Sequence, residues 1–151
     1  LSYPNNLAKT SSWTATAVTA PPNSIQNPAD GTTTATKLME TTANSAHKVV
    51  QTVTTFYPST GYTLSFYGRG NGRSFVQLAA HDGVTAYSCF FNLTTGAVGT
   101  NSNFTTTTIA QQPGGFWLCQ ATFTANAAAT ASGTYTLSLV EIPSKLGIPT
   151  A

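Results

Sequence analysis

Charge is the scarcest property of this sequence: 151 residues carry six Lys and Arg, four Asp and Glu and two His, which is 7% charged residues and a formal net charge of +2. An average soluble protein carries about 25% Asp, Glu, Lys and Arg. So sparse a set of cations excludes an electrostatic nucleic-acid footprint, which needs Lys and Arg gathered against phosphates, and no nucleic-acid partner is expected. Long apolar runs are missing as well. No stretch approaches the roughly 18 consecutive apolar residues of a membrane span, and the first thirty residues lack a basic-then-apolar leader, so no membrane partner is expected. Cysteine occurs only at Cys89 and Cys119, which excludes a multi-disulfide scaffold. The pair is compatible with one disulfide, given Cα atoms about 4.4 to 6.8 Å apart, or with two buried thiols.

Neutral polar residues fill the place of charge. Thr occurs 29 times, and its β-branched side chain favours strands over helices. With 11% aromatic residues the chain has enough apolar area to offset its conformational entropy, which argues against disorder. A globular chain of this length buries roughly 70% of its unfolded surface, so residues 1–151 are expected to form a single all-β domain around one core. The opening Leu1-Ser2-Tyr3-Pro4, without Met, is what a processed product or a module of a longer polypeptide would show. Residues 1–30, where Pro4, Pro21, Pro22 and Pro28 restrict the backbone, read as a short strand with long loops, either an extended arm or a segment wrapping the domain, anchored by Trp13.

Along the chain, short β-branched and aromatic segments alternate with Gly, Pro, Asn and Asp punctuation, the pattern of a sandwich or barrel. Strands are expected near 47–56, through Tyr62-Leu64-Phe66, over 74–80, 85–93, 105–112, 116–124 and 134–142, with a further one within 32–40, for a total of eight to ten in two packed sheets. Asp82-Gly83 suits a tight hairpin turn, and Pro113-Gly114-Gly115 marks a second. Alternation places Tyr87, Cys89, Phe91 and Leu93 on one face, Trp117, Cys119, Ala121 and Phe123 on another, and Tyr135, Leu137 and Leu139 on a third.

The groups available for chemistry are Asp30, Glu40, Asp82, Glu141, His47, His81 and the two thiols. Asp30 and Asp82 each precede Gly, where a turn uses Asp for its backbone hydrogen bonds. Nothing in the spacing brings Glu40 and Glu141 to the separation of about 5 to 9.5 Å that a glycosidase pair needs. Inward parity makes the thiols inert or paired. The chain is therefore expected to perform no catalysis. The two Asn-x-Thr sequons, Asn92-Leu93-Thr94 and Asn103-Phe104-Thr105, carry little weight in so Thr-rich a chain.

Several segments, read in order, resemble a known module. Trp13, Pro28-Ala29-Asp30-Gly31-Thr32-Thr33, Lys37-Leu38, Glu40, His47 with Gln51, and Gly61-Tyr62-Thr63-Leu64-Ser65 are followed by Phe91-Asn92-Leu93-Thr94-Thr95-Gly96, Gly115-Phe116-Trp117-Leu118-Cys119 and Gly147-Ile148-Pro149-Thr150. The order resembles a jelly-roll module of the carbohydrate-binding type that recurs in tail, fibre and head-decoration proteins of tailed bacteriophages. The chain departs from that pattern at Asn92, where the family often has Asp, and at Leu118, where it often has Arg.

The resemblance implies a jelly-roll β-sandwich of two antiparallel sheets, a place on the virion surface or outside the cell, and no cofactor. It is compatible with a structural calcium ion, for which Asp30, Glu40 and Glu141 are the candidate carboxylates. The function it implies is a non-catalytic virion-surface module binding a glycan or other cell-surface ligand. The alternative is capsid or tail decoration through contacts with other virion proteins, for which a homotrimer is a common assembly, and a third reading is a carbohydrate-binding module of a polysaccharide-degrading enzyme. Glycan binding needs aromatic platforms with amides and guanidinium groups beside them. Outward parity offers Tyr67 next to the Arg69 and Arg73 loop, with Gln77 and His81 as further candidates.

Overall fold

The computed structural model describes residues 7–21, 26, 31–130 and 132–140, the side chains of 139 and 140 excepted. Among these residues the protein is all-β, with eleven strands, one short 3-10 turn and no α-helix. The strands are β1 (Thr14–Thr16), β2 (Val18–Thr19), β3 (Met39–Glu40), β4 (His47–Val53), β5 (Gly61–Gly68), β6 (Phe75–His81), β7 (Ala86–Asn92), β8 (Ala97–Ser102), β9 (Thr106–Gln112), β10 (Phe116–Thr124) and β11 (Gly133–Val140). They form a six-stranded sheet in the order β1-β4-β11-β6-β7-β8, a three-stranded sheet in the order β5-β10-β9 and a small β2-β3 ribbon. Every pairing is antiparallel.

The two larger sheets pack face to face because their apolar residues alternate. On the six-stranded sheet Val49, Val76, Leu78, Tyr87, Cys89, Phe91, Tyr135 and Leu137 are buried, and Leu64, Cys119, Ala121 and Phe123 answer them from the three-stranded sheet. Aromatic rings bridge the layers: Phe123 lies 4.2 Å from Tyr87 between centroids, and Phe66 meets Phe91 edge-on at 5.9 Å. Trp13, the residue before β1, is buried and meets Tyr135 edge-on, which fixes the start of β1 to the core. Gln51, buried in β4, donates to the Ser12 carbonyl. The expected inward parity of Leu139 falls outside the described side chains.

Three strands cannot cover six, and β8 shows the consequence. All six of its residues are exposed, including Val98. This strand is absent from the sequence-based expectation because Ala97-Val98-Gly99-Thr100-Asn101-Ser102 has no apolar alternation to reveal it. It forms because the loop Leu93–Gly96 turns the chain back against β7. Asn92 Oδ1 accepts from the N–H groups of Thr94 and Thr95, and Gly96 takes a φ of +70°. A side chain at position 96 would run into the Trp117 ring, whose Nε1 donates to the Leu93 carbonyl.

The β6–β7 hairpin differs from expectation by one residue. Gly83 and Val84 are its central pair, with Gly83 at φ +92°, and Asp82 stands before the turn rather than inside it. A primed turn needs positive φ at its first central residue, which Gly supplies without strain. The shift leaves the Asp82 side chain free to turn inward.

Candidate functional site

The five residues proposed from sequence as a ligand surface do not come together. Tyr67 lies on β5 and points out of the three-stranded sheet, because its neighbour Phe66 packs inward on Phe91. Gln77 lies on β6 between the buried Val76 and Leu78, so it faces out of the six-stranded sheet, on the opposite side of the molecule. His81 is at the far end of β6, about 20 Å from Phe75 along a strand rising roughly 3.3 Å per residue. There its Nδ1 accepts from the Gly83 N–H. Parity along one strand told which residues face outward but not which sheet each strand joins.

Arg73 is engaged elsewhere. Its Nε and one terminal nitrogen donate to Glu40 Oε2 at 2.8 and 2.6 Å, and His47 Nδ1 lies 3.7 Å from Glu40 Oε1. Two candidates from different expected sites, the ligand arginine and the calcium carboxylate, therefore pair with each other. This pair joins β3 to the loop between β5 and β6. Asp30 and Glu141 lie outside the described residues, and among the described residues no three His, Cys, Asp or Glu side chains converge as a metal site.

What remains of the candidate surface is Tyr67 with Arg69, and the fold extends it into a platform. Pairing sets Tyr67 beside Leu118 and Ala110, Ser65 beside Gln120 and Thr108, and Thr63 beside Thr122 and Thr106. These are the outward positions of all three strands, since Leu64, Cys119, Ala121 and Phe123 face in. Neighbouring strands lie about 4.8 Å apart, so the hydroxyl and amide groups form rows at that spacing. Thr63 and Thr122 are in hydrogen-bond contact across two strands. None of β5, β9 and β10 contains an Asp, Glu, Lys, Arg or His.

Arg69 closes one end of the platform. It donates to the Gly114 carbonyl at 3.0 Å and lies 5.1 Å from the centroid of the Phe116 ring, which it covers. The guanidinium has five N–H donors, so this geometry fixes its plane while leaving others for a ligand. Tyr67, 43% exposed, offers a ring beside it. Gln120, Thr108 and Thr122 were missed from sequence because a Thr-rich strand reads the same whether its polar face binds a ligand or only water.

Two further groups of chemical interest are structural. Asp82 is fully buried, and its carboxylate accepts four hydrogen bonds: Oδ1 from the N–H groups of Val84 and Thr85, and Oδ2 from Tyr87 Oη and the Asn126 N–H. Burial alone would raise its pKa, but these bonds outweigh it and hold the carboxyl down to about 2. Asp82 thus ties the β6–β7 turn to the loop after β10. Cys89 and Cys119 are both buried and free. Burial pushes their pKa values up to about 11 and about 12, so the nucleophilic thiolate is scarce at neutral pH. Both thiols are expected to stay silent towards a disulfide reagent such as DTNB in the folded protein and to react promptly in guanidinium. Rapid labelling of either thiol under native conditions would contradict the closed interior.

Comparison with protein-family models finds no match, and comparison with curated proteins finds none either.

Proposed function

We propose that this chain is a non-catalytic, virion-surface module of a bacteriophage that binds a glycan through the outer face of the three-stranded sheet. The observation that carries this reading is the platform itself: an uncharged array of hydroxyl and amide groups with an exposed aromatic ring and a positioned guanidinium at one end. Sugars present hydroxyls and apolar ring faces without charge, which such a surface matches through hydrogen bonds and stacking. The jelly-roll assignment is supported by the chain's repeated passage between the two sheets, at β4–β5, β5–β6, β8–β9 and β10–β11. Leu118 lies in the platform between Tyr67 and Ala110. Where the resembling modules carry Arg, this chain offers a neutral surface, which favours a neutral glycan.

Affinity electrophoresis through gels containing neutral polysaccharides tests this. Wild-type protein is expected to be retarded by at least one of them, and Tyr67→Ala to weaken retention about tenfold, the equivalent of about 1.4 kcal/mol. Gln77→Ala, on the opposite face, is expected to leave retention unchanged. Equal loss in both variants would rule out the platform as the site.

Capsid or tail decoration through protein contacts is the second reading, and the uncharged, fully exposed edge strand β8 favours it. Edge strands without charge or Pro invite strand addition. A stable trimer in sedimentation equilibrium, with no retardation on any polysaccharide gel, would select this reading.

A further inference from the structure

The loop between β5 and β6 carries the sequence Arg69-Gly70-Asn71-Gly72-Arg73-Ser74, and Asn71 is the only Asn of the chain followed by Gly. Deamidation of Asn requires the backbone nitrogen of the next residue to reach the side-chain carbonyl carbon. Three features slow it in folded proteins: a following side chain that blocks approach, a hydrogen bond that holds the attacking N–H, and hydrogen bonds that fix the Asn amide.

At Asn71 the structure removes all three. Both Asn71 and Gly72 are exposed. Gly72 has φ +97°, and nothing lies within 4 Å of where a Cβ would stand. Among the described residues neither the Asn71 side chain nor the Gly72 N–H makes a hydrogen bond.

Every other described Asn fails at least one condition. Asn92 Oδ1 accepts from two backbone N–H groups. Asn101 and Asn103 donate to the carbonyls of Phe104 and Ala86. Asn126 uses both side-chain atoms, donating to Thr85 Oγ1 and accepting from Ala128 N–H. After Asn44, the Ser45 N–H that would attack is bonded to the Ala43 carbonyl.

We propose that Asn71 is a site of spontaneous deamidation and that its conversion places a new carboxylate in the arginine-bearing loop. The Gly72 nitrogen attacks Asn71 Cγ and loses its proton, and the bond from Cγ to the amide nitrogen breaks. Ammonia leaves, and a five-membered succinimide forms. Water then opens that ring at one carbonyl to give Asp or at the other to give isoaspartate. The balance is amide plus water to carboxylate plus ammonium, the released ammonia taking up the proton of the new acid, with no oxidant or cofactor.

The product lowers the formal net charge of +2 by one unit. The new anion stands two residues from Arg69, which covers Phe116, and two residues from Arg73, which holds Glu40. It therefore adds a competing acceptor for both guanidinium groups at the rim of the three-stranded sheet. This inference rests on the loop alone and is independent of any ligand.

The test is a timed incubation of the whole chain in mildly alkaline buffer, followed by peptide mapping with isoaspartate detection, beside the same chain kept unfolded in urea. In the folded protein, deamidation at Asn71 is expected to proceed within a few-fold of its rate in urea, while Asn44, Asn92, Asn101, Asn103 and Asn126 are slowed. Asn71→Ser should remove the acidic species that accumulates on ion exchange, and Gly72→Ala should slow its appearance several-fold. An Asn71 that stays intact in the folded chain while reacting in urea would overturn the proposal. So would folded-state deamidation at Asn44, Asn92, Asn101, Asn103 and Asn126 as fast as at Asn71.

Discussion

Asp82→Ala is expected to destabilise the protein by about 4 kcal/mol, because it removes a buried carboxylate that is the common acceptor of four donors. For a chain of this length that lowers Tm by roughly 10 °C. Tyr87 Oη can still donate to the Thr124 carbonyl, but the backbone N–H groups of Val84, Thr85 and Asn126 lose a charged partner. Asp82→Asn is expected to cost about half as much, since an amide oxygen can still serve Val84 and Thr85 while its NH2 meets the Asn126 N–H.

The same carboxylate sets an acid limit. Its folded pKa of about 2 lies below the ordinary value of 3.8, so the folded state binds the proton less readily than the unfolded chain does. The stability it confers is complete above the unfolded value and is lost as pH falls from about 4 to about 2. The loss is about 2 kcal/mol, less than deletion costs because the protonated acid keeps some of its hydrogen bonds. Urea denaturation at a series of acid pH values should show this slope in the wild type and a flatter one in Asp82→Asn. An unchanged slope in the variant would mean that other carboxylates govern acid unfolding.

Phe123→Ala is the other large effect, expected at about 4 kcal/mol. Phe123 is fully buried in β10 and its ring touches four others: Tyr87 at 4.2 Å, Tyr62 at 5.5 Å, Phe104 at 5.9 Å and Phe56 at 6.0 Å between centroids. Those rings come from both sheets and from the loops between them. Removing the central ring leaves a cavity that no single neighbour can fill without drawing the sheets together. Phe123→Leu keeps part of the volume and should cost about half as much, by calorimetry or denaturant titration. A small effect in Phe123→Ala would mean that the two sheets are not closed on each other around this ring.

These two residues also mark what the sequence discloses. Phe123 was legible: its parity with Cys119 and Ala121 places it on an inner face, and period-two alternation is a direct consequence of strand geometry. Asp82 was legible as a turn residue, but its hold on Asn126 was not, because that contact joins loops more than forty residues apart. The same limit governed the candidate site. Outward parity identified Tyr67, Gln77 and His81 correctly as surface residues, yet the crossing of the chain between β5 and β6 put Tyr67 and Gln77 on opposite faces. Alternation is a local signal, whereas sheet membership depends on pairings between distant strands. Glu40 and Arg73 show it again: 33 residues apart, they found each other as an ion pair where sequence suggested a metal ligand and a sugar ligand. Strand β8 escaped notice for the opposite reason, since an edge strand that overhangs its partner sheet has no core to face and no alternation to display.

The most direct test of the platform is a titration of isotope-labelled protein with neutral oligosaccharides, followed by amide chemical shifts. The account predicts perturbations gathered on Thr63, Ser65, Tyr67, Thr108, Gln120 and Thr122, with the Arg69 side chain among them. Shifts centred on Gln77 and His81 of the opposite sheet, or no shift with any sugar tried, would contradict it.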